Sequence, residues 1–340
     1  MLRSLPLALV AILALSACDT LGGSDGGSVT RQDVAAFPVQ VDSLWGFMDV
    51  EGRLTAQPRF GFADEVYNGL AAVRDGAVWG YASPDGQLVI PATYEAAGRF
   101  TGDLAPVRSD AGWGYVNTSG TVVVDPTYDS ALEMSDDRAA VRAGFLWGYI
   151  DASGTEVIAP QYAAAGEFVD GLAPVQTADG WQYIDRSGAV AFGATFAEAR
   201  AFSDVGLAPV REAGSEAWKF IDTDGTIVLN TTYASAMPFT EGYARVEDGD
   251  RTAFIGRDGE FLIGPEMREA GPFSEGLAAV RFNNRWTYVS RDDGLVVMSP
   301  LFSSARPFRG GLAQVTTGSG DKVKTGYINE SGQYVWEPSN

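Results

Sequence analysis

Five arginines hold one recurring place in this chain. Arg74, Arg108, Arg142, Arg211 and Arg281 each follow the valine of a short apolar segment, as in Leu70-Ala71-Ala72-Val73-Arg74. Guanidinium groups grip carboxylate or phosphate through paired N–H donors. Equal repeat positions line up in a stacked array, which predicts a basic stripe for an anionic partner. The register breaks at Gln176, Glu247 and Thr316, and acids such as Asp75, Asp110 and Glu212 stand near enough to neutralise the stripe instead. Exposed pairs of that kind contribute little to stability. Seven tryptophans share a second recurring place: Trp45, Trp79, Trp113, Trp147, Trp181, Trp218 and Trp286. Such a ladder either lines a groove for a peptide or glycan or forms the core of the repeat. Its alternation with Gly and Ile favours core, where tryptophan is mostly found.

Catalytic chemistry finds little support. The chain has no histidine, so a Ser-His-Asp triad and a histidine metal site are both excluded. The single cysteine, Cys18, lies close to the N-terminus, and no disulfide can form within the chain. Carboxylates are plentiful, so a glycosidase using two of them remains the competing enzyme reading. The acids recur at repeat positions, however, rather than in one special constellation. Asp222-Thr223-Asp224-Gly225 begins like a calcium loop, but the remaining ligands of such a loop are missing. Asp49, Asp151 and Asp185 stand at the same turn in other units, and a tight turn accounts for all of them. We expect no catalytic residue, no metal and no cofactor.

The elements that position these residues form a tandem repeat. Its register is set by an aromatic residue at Phe47, Tyr81, Tyr115, Tyr149, Tyr183, Phe220, Phe254, Tyr288 and Tyr327. The interval is 34 residues in six of the eight steps and 37 or 39 in the others. The tryptophan stands two residues earlier, with Thr252 and Thr325 replacing it in two units. A glycine intervenes at Gly46, Gly80, Gly114, Gly148 and Gly326, giving way to Gln182, Lys219, Ala253 and Thr287 elsewhere. Glycines at 52, 86, 120, 154, 188, 225, 259, 294 and 332 close the following turn. A link of the form aromatic-x-x-Ala-x-x-Phe, such as Tyr94/Ala97/Phe100, completes the unit. A fixed period of this size marks a solenoid, propeller or array.

This order of motifs resembles the WG-repeat family over about residues 39–338. The resemblance implies an all-β repeat of short strands. It implies no single activity, because members look like binding or scaffold modules, often on bacterial envelope proteins.

Each unit reads as three strands. The first surrounds Leu70–Arg74, the second Trp79-Gly80-Tyr81, and the third is Gln87-Leu88-Val89-Ile90, stopped by Pro91. Asp-Gly and Asp-x-x-Gly turns favour antiparallel hairpins. Apolar residues three apart in the link suit a helical turn or compact loop. Nine units exceed the usual four to eight blades of a propeller, and blades normally carry four strands. The expectation is therefore all-β: an open β-solenoid or superhelix of three-stranded repeats, with a closed β-propeller as the alternative.

The net charge of −20 disfavours nucleic acid and anionic lipid as partners. Residues 1–17 read as a signal peptide: Arg3 gives a thin basic start, and Leu5–Leu15 is apolar but too short to span. Leu15-Ser16-Ala17-Cys18 resembles the bacterial lipobox, which implies a diacylated (palmitate-type) anchor on Cys18. Asp19 tilts the expectation towards the inner membrane. Residues 18–36 form a Gly/Ser tether, and residues 37–340 form the array. Together these features predict a lipid-anchored envelope protein facing the periplasm, serving as a scaffold for an unknown envelope protein or polysaccharide. A carbohydrate-active hydrolase or a passive spacer stands as the alternative.

Overall fold

The computed structural model describes residues 36–299 and 301–339. The expected signal peptide, Cys18 and nearly all of the tether lie outside the described residues.

Each repeat folds as an antiparallel meander, and nine such sheets follow one another along the chain. The second sheet shows the full pattern: Phe62–Tyr67, Leu70–Asp75, Val78–Ala82 and Leu88–Tyr94. Each strand pairs with the next in sequence. Local chemistry sets the turns. In the first sheet, the Asp49 carboxylate accepts the backbone N–H groups of Glu51 and Arg53. Gly52 then closes that turn at φ 81°, a conformation that costs glycine little. Asp151 does the same for Ser153 and Thr155.

The link expected as a helical turn or compact loop contains a strand, six residues long in three blades and two residues long in five others. Residues 62–67, 235–240 and 269–274 are extended throughout, and shorter pairs such as Ala96–Ala97 occupy the same place elsewhere. The alanine of each link pairs with the valine of the following strand: Ala97 with Val107, Ala131 with Val141, Ala236 with Val246. Spacing of three suggested a turn because alanine and phenylalanine share one face of the sheet across an irregular register. Such a shift lies between Ala236 and Phe239.

The array is also closed. It is a nine-bladed β-propeller, not the open solenoid expected. Three sets of contacts run round the ring and continue across the junction of its ends. The turn glycine of each blade lies against the outer strand or segment of the blade before it: Gly86 on Ala56, Gly154 on Val124, Gly259 on Leu229, Gly294 on Ile263. Gly52 of the first blade meets Val335 of the last in the same way. Tyrosine hydroxyls donate to backbone carbonyls of the next blade, Tyr81 to Gly98 at 2.7 Å and Tyr149 to Gly166 at 2.8 Å. Tyr327 of blade nine donates to Pro38 of blade one at 2.7 Å. Finally, Phe37, Val39 and Met48 share one buried cluster with Leu312 and Tyr327.

The physical reason is that a blade buries its apolar faces only between neighbours. An open array would leave both end faces in water. Each large side chain so exposed costs about 1.5–3 kcal/mol, and closure removes both faces together. Strand number bears on the same correction. The inner strand completes a four-stranded blade in six of nine sheets; among the described residues blade one has no inner strand, and blades five and eight have no outer one.

Candidate functional site: the hairpin face and the centre of the ring

All second-to-third-strand hairpins open on one face of the disc. Strand register places the arginines there, each directly across from a tryptophan. Arg74 faces Trp79, Arg108 faces Trp113, Arg142 faces Trp147, Arg211 faces Trp218 and Arg281 faces Trp286. Across the next pairing stands an aromatic of the outer segment, such as Tyr94 opposite Trp79 or Tyr162 opposite Trp147. Closure turns the expected linear stripe into an arc about the ring axis, blade by blade.

The arginines are not equivalent. Arg211 and Arg281 pair with Glu198 and Glu269 of their own inner strands. Arg108 approaches Glu95 at 3.5 Å, with both side chains about half exposed. Arg74 donates to the Gly61 carbonyl at 3.3 Å. Arg142 has no ion pair among the described residues; its guanidinium lies 5.9 Å from the centre of the Trp147 ring. The partners expected from sequence differ: Glu212 binds Lys219 at 2.7 Å instead. The tryptophans are anchored in the cores between blades. Trp218 is buried, and Trp45, Trp79, Trp113, Trp147, Trp181 and Trp286 are half-buried, with part of each ring open on this face.

A second constellation, at the centre, was missed from sequence. Arg309 of blade nine donates to the Glu65 carboxylate and the Val66 carbonyl of blade two, at 2.8 and 2.9 Å. It reaches past blade one, which is feasible only near the axis. Its guanidinium lies 3.5 Å from the centre of the Tyr67 ring. Arg99 approaches the same ring at 5.0 Å, and donates to the Tyr67 hydroxyl at 2.9 Å and to Glu133 at 2.8 Å. A chain of charge thus runs Glu65–Arg309–Tyr67–Arg99–Glu133 through blades nine, two, three and four.

Burial shapes the electrostatics of this centre. It raises the Tyr67 phenol to about 12. It also lifts the carboxyls of Asp64 and Glu133 above the ordinary range, with Arg99 pulling both back in part. Burial alone would weaken the charge on Arg99, but Tyr67 and Glu133 outweigh it and hold the guanidinium charged. A visible signal existed. Two residues beyond the link alanine the repeats read Glu65, Arg99, Glu133, Glu167, Ala201, Pro238, Pro272 and Pro307. A repeat position that changes from charged to proline halfway round is not set by packing alone.

Of the expected site residues, the fold brings the arginines and tryptophans onto one face. Asp222 accepts the backbone N–H groups of Asp224 and Thr226, as a turn requires.

A family profile described as "WG containing repeat" matches residues 45–77, 79–111, 113–144, 147–181, 183–214, 218–251 and 253–286. No curated protein matches the chain. Among solved structures, a eukaryotic initiation factor aligns with a TM-score of 0.66 at 11% identity, covering 90% of this chain and 96% of its own. The dihydro-heme d1 dehydrogenase NirN aligns with a TM-score of 0.47 at 10% identity, covering 78% and 73%. At 11% identity the likeness to the initiation factor is one of fold alone.

Proposed function

The chain belongs to the WG-containing repeat family, and from that premise we propose that it is a lipid-anchored binding scaffold of the bacterial envelope, held at Cys18 and facing the periplasm. The observation that carries the reading is the arc of arginine–tryptophan pairs on the hairpin face. Tryptophan and arginine are the side chains that most often dominate binding energy at interfaces. Here they stand side by side in five blades, with a half-exposed guanidinium on Arg108 and one without an ion pair among the described residues on Arg142. A protein or an envelope polymer bearing anionic groups fits that surface. The hydrolase alternative would need a carboxyl free to donate a proton. Burial raises Glu133 as such a donor requires, yet an oxygen of Glu133 is held by Arg99 at 2.8 Å.

The test is in-cell crosslinking of the full-length protein with mass spectrometry, alongside a peptidoglycan pull-down. The double variant Arg108→Ala/Arg142→Ala serves as the comparison. One dominant partner, lost in the double variant, is the expected result. An unchanged partner profile would remove the hairpin face from the reading.

A further inference from the structure

Phe145 is 92% exposed, the most exposed of the large apolar side chains among the described residues. It stands at the tip of the blade-four hairpin, between Arg138–Ala143 and Leu146–Asp151. The matching tips carry other residues: Ala77 in blade two, Ala111 in blade three, Asn284 in blade eight. None of these is aromatic, so no requirement of the repeat puts a phenylalanine there. The tip is also held in shape. Gly144 turns at φ 64°, and its N–H donates to Asp129 Oδ2 at 2.6 Å.

Its surroundings combine features that other blades carry separately, such as the exposed Leu44 before Trp45 and Arg74 without an ion pair among the described residues. Leu146, next to it, is 42% exposed. Trp147 is half-buried beneath Arg142, and Arg142 has no ion pair among the described residues. An exposed phenylalanine, a leucine, a tryptophan edge and an unneutralised arginine thus meet on one blade. Burying one such ring is worth about 1.5–3 kcal/mol, and interface energy concentrates in anchors of this kind.

We propose that the blade-four tip is the anchor point of a protein partner, with Phe145 entering an apolar socket and Arg142 meeting an acceptor at its rim. This rests on the scaffold reading above. Charge selects the occupant. Asp110, Asp129 and Asp179 flank the tip, within a chain of net charge −20. An anionic membrane surface would meet these carboxylates as the ring went in. A second copy of the chain would bring as much negative charge again. A protein whose socket lies in a basic surface is attracted by the same groups.

The experiment places a photo-crosslinking phenylalanine analogue at position 145 of the full-length protein in its native membrane. Positions 77, 74 and 281 carry it in parallel strains. The expected result is one discrete adduct with another protein at 145, absent at 77. Its yield falls at least tenfold with Arg142→Glu and falls as salt is raised. Purified partner then binds the Phe145→Ser variant at least tenfold more weakly, and the unfolding midpoint of that variant is unchanged. Adducts only with lipid, only between copies, or equally at 77 overturn the proposal. If positions 74 and 281 capture a partner while 145 captures none, the tip is refuted and the hairpin face stands. If no position captures one, both fall.

Discussion

Substituting Gly52 distinguishes a closed ring from an open array by thermodynamics alone. Gly52 lies in the first blade, at φ 81°, and a Cβ there would sit 2.4 Å from the Val335 carbonyl oxygen of the last blade. Ordinary contact begins near 3.4 Å, so Gly52→Ala forces the two blades apart by about an ångström. Two costs add. Left-handed backbone costs an alanine about 1–2 kcal/mol, and overpacking a fitted contact costs about 1–3 kcal/mol more. Gly69 supplies the control. It has nearly the same conformation, φ 78°, with nothing within 4 Å of its Cβ position. Gly69→Ala therefore carries the backbone cost only, and the entropy that alanine removes from the unfolded chain cancels between the two variants. The expected difference is about 1–3 kcal/mol, with Gly52→Ala the less stable. Chemical unfolding followed by tryptophan fluorescence reads it as a lower midpoint. In an open array Val335 would be far from Gly52, and the two variants would unfold at the same denaturant concentration. That equality would refute closure.

Other consequences are simpler to state. Arg309→Ala breaks a pair whose side chains are only 20% and 32% exposed; a cost of about 2 kcal/mol is expected, below the fully buried range because of that exposure. Arg53→Ala removes a solvent-exposed pair, with the arginine 72% exposed, and should leave the unfolding midpoint unchanged in the same assay. Burial raises the folded-state Asp64 carboxyl, so the folded state binds its proton more tightly than the unfolded chain does. The stability this group contributes is therefore full below the ordinary carboxylate value and is lost as pH rises through the raised one. Asp64→Asn should flatten that decline in unfolding midpoints measured from about pH 4 to 7. Cys18→Ala should release the protein from membranes and abolish palmitate labelling; continued membrane retention would remove the anchor from the proposal.

Much of the architecture was legible because the residues that build it recur. Register, turns and the Trp–Gly–aromatic strand follow from side chains that do one job in every blade. The strand within the link was missed because alanine and phenylalanine three apart, as Ala97 and Phe100 are, suit a helical turn or compact loop as readily as a bulged inner strand. Closure was illegible for a different reason. The contacts that decide it, Tyr327 with Pro38 and Gly52 with Val335, join residues from opposite ends of the chain. Inside the ring the same contacts fall between adjacent repeats, where an open array would make them too. The arginines were found by periodicity, but their unequal partners depend on inner strands that were not recognised as strands. Phe145 and the central charges escaped because a search for recurrence discards whatever appears once.

That bias matters for function. A ring of equal positions offers a partner several equivalent weak sites, so equal positions cannot by themselves orient a one-to-one complex. Orientation needs residues that break the symmetry. Besides the strands missing among the described residues from blades one, five and eight, side chains of this propeller break it at two places. On the hairpin face, among the described residues, blade four alone carries an exposed aromatic tip beside an arginine without an ion pair. At the centre, Glu65, Arg99, Glu133 and Glu167 occupy one side of the ring, while Pro238, Pro272 and Pro307 hold the matching places on the other. The charged side also spans the junction of the chain ends, through Arg309 and Glu65. Its charges are largely spent on one another, which makes the centre a fastening for the ring. The tip spends nothing on the fold, since Phe145 buries almost none of its surface. A side chain that costs solubility and contributes no packing is the one whose presence a binding role explains.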